Sequence, residues 1–323
     1  MKILVTGGLG FIGGVLAEKL KIRGHSVRIF DSISPDHRSD ASTHFDFAMG
    51  SVSNPDDLAA GFDGADLCVH LAGSPVIANP RSCGATRREP FIAAARTLFQ
   101  AAENAGAPVI YASSAAVYGN GQAATLDETS MTSPVSAHGE EKLALETVAR
   151  QFAEWSGLPS LGLRMFNVYG PTQRVSSPYC GVLRLFAQKA IDGEAVTVYG
   201  DGSHRRDFIH VEDAVRFMVD RIGHQLVGAD TVNVCTGRGT SIVDAVGLLK
   251  SVSGLDIQIE SLPAISGEVV DSVGDPAKAD ARYGFRAEIP LEAGVRAMIE
   301  CLRSPMSERI KPKNQRKISH PTG

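Results

Sequence analysis

Three groups of residues in this chain have types and spacing suited to chemistry. The first is Thr6-Gly7-Gly8-Leu9-Gly10-Phe11-Ile12-Gly13. It follows the apolar run Ile3-Leu4-Val5 and leads into Val15 to Leu20, so strand, glycine turn and helix come in the order that builds a phosphate cradle. Gly7 lets the strand turn sharply, Gly10 lets backbone approach a pyrophosphate, and Gly13 lets the helix lie close to the strand. The helix N-terminus adds free N–H groups and a partial positive charge. The second group is Asp31, which closes the predicted strand Ser26 to Phe30, 18 positions after Gly13. A carboxylate there can bind both hydroxyls of an adenine ribose and repel a 2′-phosphate, so NAD is expected over NADP. The third is His138 with Lys142, four residues apart on a predicted helix and therefore on one face. His70, at the end of a predicted strand beside Ala72 and Gly73, reads instead as a packed structural histidine.

The elements that must hold these groups alternate along the first third of the chain. After the two strands already named come a poor third strand at Phe45–Met49 and a helix opening at Pro55. A fourth strand at Ala65–Leu71, an alanine-rich helix at Phe91–Ala105 and a fifth strand at Val109–Ala112 follow, the last ending in Ser113-Ser114. Such alternation predicts an α/β fold with a doubly wound parallel Rossmann sheet. The segment from Ser74 to Glu89 carries Arg81, Arg87 and Arg88 beyond a strand's carboxyl end, where such sheets bind ligands, though a solvated loop is an equally good reading.

Further along come a helix at Ser136–Trp155, a strand at Leu161–Phe166, a turn at Asn167–Pro171 and a helix at Gly181–Ile191. Then follow a strand at Val196–Tyr199, a helix at Val211–Ile222, a strand at Val232–Cys235 and a helix at Ile242–Ser251. A last strand at Ile257–Ile259 and a helix at Leu291–Leu302 complete the set. The expected organisation is a dinucleotide-binding domain over 1–168, a smaller interleaved C-terminal substrate region over 169–303, and a disordered basic tail over 304–323.

Composition narrows the function classes. The 43% hydrophobic content of 323 residues is enough for a sizeable core. A net charge of −4 gives no electrostatic case for nucleic acid. Five scattered cysteines suit a reducing compartment and argue against a disulfide framework or a metal site. No apolar run approaches membrane-spanning length. Met1 leads straight into the first strand, so a cytoplasmic protein is expected.

Residues 1–303 resemble the extended short-chain dehydrogenase/reductase family, specifically its NAD-dependent nucleotide-sugar epimerases and dehydratases of the UDP-glucose 4-epimerase type. The glycine motif matches the family's cofactor loop. His70-Leu71-Ala72-Gly73 and Ser113-Ser114-Ala115-Ala116-Val117-Tyr118-Gly119 look like its fourth-strand and catalytic-serine signatures. Arg164 to Pro171, Gly200 to Phe208, and Asp275 to Ala279 are similar to its later motifs. The resemblance implies oxidation of a sugar carbon, usually C4, by bound NAD. It casts Ser114 as the hydroxyl that bonds the reacting oxygen and Lys142 as the lysine that holds the nicotinamide ribose. It places Gly7, Gly10, Phe11, Ile12, Gly13, Asp31, Ser32, Ser51, Val52, Leu71, Ala72, Gly73 and Lys142 around the cofactor. Asn167, Arg206, Phe208 and Glu268, with Ser114, fall to the nucleotide sugar. A homodimer pairing the helices at Phe91–Ala105 and Ser136–Trp155 is implied as well.

The chain departs from the family where it matters most. His138 stands where the family has its catalytic tyrosine, Glu141 replaces the serine before the lysine, and Phe91 replaces a helix asparagine. Ser51 replaces an adenine-facing aspartate, His204 a glutamine, and a diphosphate-clamping arginine near Ser266 is missing. Three readings follow. His138 is the acid/base, since imidazole transfers protons near neutral pH and Lys142 would keep it neutral. Alternatively, catalysis is lost and the fold binds nucleotide or nucleotide sugar. Or a simpler dehydrogenase of a smaller hydroxylated substrate uses the same residues. Ala115-Ala116 stands where 4,6-dehydratases carry an acidic pair, which leaves epimerisation or oxidation/reduction. Glu141 as the base ranks lower, because neighbours on a helix point apart. Phe208 could pack a base or the core, and Tyr118 and Tyr169 read as core tyrosines.

Overall fold

The computed structural model of the protein describes residues 1–34, 45–73, 88–121, 124–175, 180–265, 267 and 269–304. The chain first lays down β1 (Lys2–Thr6), α1 (Phe11–Ile22), β2 (Ser26–Asp31), β3 (Asp46–Met49), α2 (Pro55–Phe62) and β4 (Leu67–His70). It continues with α3 (Arg88–Ala105), β5 (Val109–Ser114), α4 (Ala137–Ser156) and β6 (Ser160–Met165). The C-terminal part comprises β7 (Asn167–Tyr169), α5 (Val182–Asp192), β8 (Val196–Tyr199), β9 (Arg205–His210), α6 (Val211–Arg221) and β10 (Ala229–Val234). It ends with β11 (Gly239–Ser241), α7 (Ile242–Ser253), β12 (Ile259–Leu262), β13 (Asp271–Ser272), α8 (Ala277–Tyr283) and α9 (Leu291–Arg303).

Seven strands form one parallel sheet in the order β10-β6-β5-β4-β1-β2-β3. The order reverses between β1 and β4, and the crevice above the carboxyl ends at that point is where such sheets hold ligands. Helices cover both faces, which is why Ile3, Leu4 and Val5 are all fully buried rather than alternating. On one face α1 and α6 pack Leu16 and Leu20 with Phe217 and Met218. On the other, α2, α3 and α4 supply Leu58, Phe99, Leu145 and Phe152. A separate small core joins α5, α7 and α9 through Phe186, Leu249 and Met298.

The C-terminal part does not stand apart from the sheet. β10 returns from it to pair with β6, with Val232 opposite Leu163. Asp207 on β9 is fully buried and accepts hydrogen bonds from the N–H groups of Thr236, Gly237 and Gly274 and from the Thr236 hydroxyl. It thereby clips β9 to the segments that follow β10 and β13.

Two expectations about the C-terminal part require correction. Asn167 to Tyr169 is a strand, β7, paired in parallel with Phe208 to His210 of β9, not a turn. Three residues are too few to show a period of two, and the partner lies far along the chain. The strand expected at Ile257–Ile259 is Ile259–Leu262, paired with β8, and β13 follows it, whereas Ile257 enters the small core. β9, β11, β13 and α8 had no counterpart in the sequence reading. Arg81 and Arg87, and the tail from 305 onward, lie outside the described residues.

Candidate active site

A cleft of about 920 Å³ opens at the switch point and runs from the glycine turn to the end of β5. Its cofactor end is built from backbone. Gly7 turns β1 with φ of +69°, and a Cβ there would stand 2.7 Å from the Ala72 nitrogen. A Cβ at Gly13 would collide with the Gly7 carbonyl oxygen, so α1 lies against the strand only because that position is glycine. Gly10 caps α1 without a side-chain bond, which leaves the first-turn N–H groups of the helix to a ligand. Asp31 Oδ2 accepts from the Leu9 N–H at 3.1 Å and Oδ1 from the Ile33 N–H at 3.3 Å, fixing the carboxylate at the rim. Ser32, Ser51, Val52, Leu71, Ala72 and Gly73 also line the cleft. The cradle, the open helix terminus and the rim carboxylate fit an NAD molecule.

At the other end stand Ser114, His138 and Lys142, all lining the cleft. Ser114 closes β5 and caps the short 3₁₀ turn Ala115–Tyr118, its Oγ accepting from the Ala116 N–H at 3.2 Å. The start of α4 is pressed onto that turn at Gly139, where a Cβ would collide with the Ala116 carbonyl oxygen. Ser136 caps α4 through the Gly139 N–H. Burial, with added repulsion from Lys142, lowers the His138 pKa to about 3, so the imidazole is neutral at ordinary pH.

One turn beyond Lys142, on the same stripe of α4, Glu146 anchors the helix. It accepts from Ser113 Oγ at 2.6 Å and takes the Arg164 guanidinium in a two-pronged pair at 2.9 and 2.8 Å. Arg164 also donates to the Tyr118 hydroxyl, which in turn donates to Asn233 Oδ1. This buried network ties α4 to β5, β6 and β10 and so sets Lys142 and His138 relative to Ser114. Sequence reasoning missed Glu146, although its spacing from Lys142 was a usable signal.

The remaining predicted residues divide. Asn167 and Arg206 line the cleft. The Arg206 guanidinium donates to the carbonyls of Arg205, Val269 and Val270. Phe208 is not among the lining residues: it is buried and packs edge-on to Tyr169 in the small core. Tyr169 is buried there, and burial pushes the Tyr118 pKa up to about 12. His70 is sealed in the sheet with Nδ1 2.7 Å from Thr6 Oγ1. Glu141 faces away from the cleft and stands 3.7 Å from Lys142, so it is not placed as a base. Glu268 lies outside the described residues. The cleft further includes Gln173, Cys180 and Gly181, the last being the start of α5; none had been singled out.

A parallel sheet of this order, with a glycine cradle at its switch point, defines a dinucleotide-binding enzyme fold. The chain belongs to the NAD dependent epimerase/dehydratase family, whose model matches residues 3–235. It is similar to an uncharacterized UDP-glucose epimerase of Bacillus subtilis, YtcB, at 30% identity across 94% of this chain and 98% of the relative. Among solved structures it is similar to the UDP-glucose 4-epimerase of Thermotoga maritima bound to UDP-glucose, with a TM-score of 0.86 and 29% identity over 94% of this chain and 99% of that one. The Thermus thermophilus UDP-glucose 4-epimerase complex with NAD gives a TM-score of 0.83 at 25% identity, covering 94% and 100%.

Proposed function

We propose that the protein is an NAD-dependent nucleotide-sugar epimerase that works through transient oxidation of a sugar carbon, C4 by the family resemblance, with His138 as its acid/base. The observation that carries this reading is the single continuous cleft, with the cradle and Asp31 at one end and Ser114, His138 and Lys142 at the other. The similar proteins described above, named for action on UDP-glucose and solved with UDP-glucose or NAD, support it.

NAD, when bound, supplies a reversible acceptor for the hydrogen on the sugar carbon. The protein's own groups handle the proton and the position. A neutral imidazole nitrogen of His138 takes the hydroxyl proton and later returns it. Ser114 Oγ bonds the same oxygen. Imidazole is shorter than phenol, so contact within about 3 Å needs a sugar seated deeper than in a tyrosine enzyme, or one bridging water. Arg206, held against backbone carbonyls, supplies positive charge to the diphosphate, and Asn167 lines the same cleft. The chain acts as a homodimer through α3 and α4.

A second reading, a binding protein without turnover, draws on the same imidazole: a base with so low a pKa is weak. Both are tested by incubating the purified protein with UDP-, dTDP- and GDP-sugars while following reduced-nicotinamide absorbance and product stereochemistry. Epimerisation lost in His138→Ala supports the enzyme. A silent wild type with activity gained in His138→Tyr would establish the binding protein.

A further inference from the structure

Lys142 reaches the cleft, but the carboxyl that accompanies it does not. Nζ of Lys142 lies 3.7 Å from Glu141 Oε1, and both side chains are buried. Glu141 lines a separate cavity of about 20 Å³ together with Val52, His70, Ala72, Phe91 and Leu145. Val52 and Ala72 line the main cleft too, so Glu141 sits directly behind the cofactor wall. From β4 the wall of the small cavity presents His70, bonded to Thr6; from α3 it presents Phe91, Ala94 and Ala95, none of which is charged. On α4 His138 is three residues before Glu141 and four before Lys142, on adjoining rows of the helix.

An ammonium taken out of water is costly unless a counter-charge goes with it. Here the cost has a chemical side. An uncompensated Lys142 would oppose both a positive nicotinamide ring and a protonated His138 in one enclosed space. We propose that Glu141 is a positioning residue: the buried counter-charge that fixes Lys142 and sets the electrostatic potential at the reactive end of the cleft. The inference rests on the NAD-dependent reading above, and it gives the departure from the family's serine at this position a physical role. The anion that a tyrosine base would carry is supplied instead from behind the wall.

The consequence is a preference between oxidised and reduced dinucleotide, which differ by one positive charge on the ring. Binding of NAD⁺ and NADH is measured separately on wild type, Glu141→Gln, Glu141→Asp and the double variant Glu141→Gln/Lys142→Met. Glu141→Gln is expected to raise the ratio Kd(NAD⁺)/Kd(NADH) about tenfold, the scale of one nearby charge partly screened. Glu141→Asp should keep most of the wild-type ratio, and the double variant, which removes both charges of this pair, should return close to it. A wild-type ratio in Glu141→Gln overturns the proposal. If Glu141→Gln does not fold but the double variant does, the counter-charge role is supported. If neither folds, Glu141 serves packing and the proposal falls. Dinucleotide binding requires no turnover, so failure of every sugar to react would overturn the epimerase reading and leave this test standing.

Discussion

His70 shows how a residue with an inviting chemistry is spent on structure. Burial, with Lys142 nearby, lowers its pKa to about 3 from the 6.5 of an exposed imidazole. Above pH 6.5 neither the folded nor the unfolded chain is protonated here, so the site adds no pH dependence. Between pH 6.5 and 3 the unfolded chain takes up a proton that the folded one refuses. Stability must therefore fall as pH falls, by up to about 1.4 kcal/mol per unit from this group. His70→Gln should flatten the acid slope of unfolding free energy by ~1 kcal/mol per pH unit, read from urea titrations between about pH 6 and 4.5. An unchanged slope would count against a buried, neutral His70. Glu146 makes the opposite case. Its removal in Glu146→Ala strands the buried Arg164 guanidinium, and a loss of about 3–5 kcal/mol is expected by denaturant titration. A loss below 1 kcal/mol would mean that the network contributes little.

Elements, more than residues, decide whether the site is assembled. Ser114 lies on β5 and His138 on α4, and their meeting depends on the glycine that lets α4 touch the 3₁₀ turn. Gly139→Ala should push the start of α4 outward. The expected result is a fall of at least tenfold in kcat with NAD affinity within about threefold of wild type, because the cradle on β1 and α1 is untouched. Equal losses in both would show that the two ends of the cleft are not separable. The cradle was legible in the sequence because a strand, three glycines and a helix are all local, and Asp31 only closes the next strand. The alternation up to β5 was legible for the same reason. β7, β9 and β13 were not, since each is two to six residues long and exists only through pairing with segments far along the chain. The burial of Phe208 and the orientation of Glu141 away from the cleft were invisible likewise. An aromatic after a basic pair, or an acid before a lysine, carries no mark of which way it points.

At the scale of the molecule, the proposed pairing of two copies through α3 and α4 predicts twice the 34.2 kDa chain mass in sedimentation. The chain's single tryptophan, Trp155, lies in the last turn of α4 and is 70% exposed in one copy. Its emission should move to longer wavelength as dilution separates the copies. A species of one chain mass across the micromolar range would rule the pairing out.

The return of β10 to the sheet has a consequence for synthesis. β6 is complete at Met165, but the strand that covers its open edge is not finished until Val234. At the usual pace of translation, roughly 5–20 residues per second, the nascent sheet waits several seconds with a hydrogen-bonding edge uncovered. The ribosome thus holds a nearly finished dinucleotide fold that cannot close. Chaperone demand should peak in that interval, and a message that stalls between these two strands should yield aggregates rather than a usable half-protein.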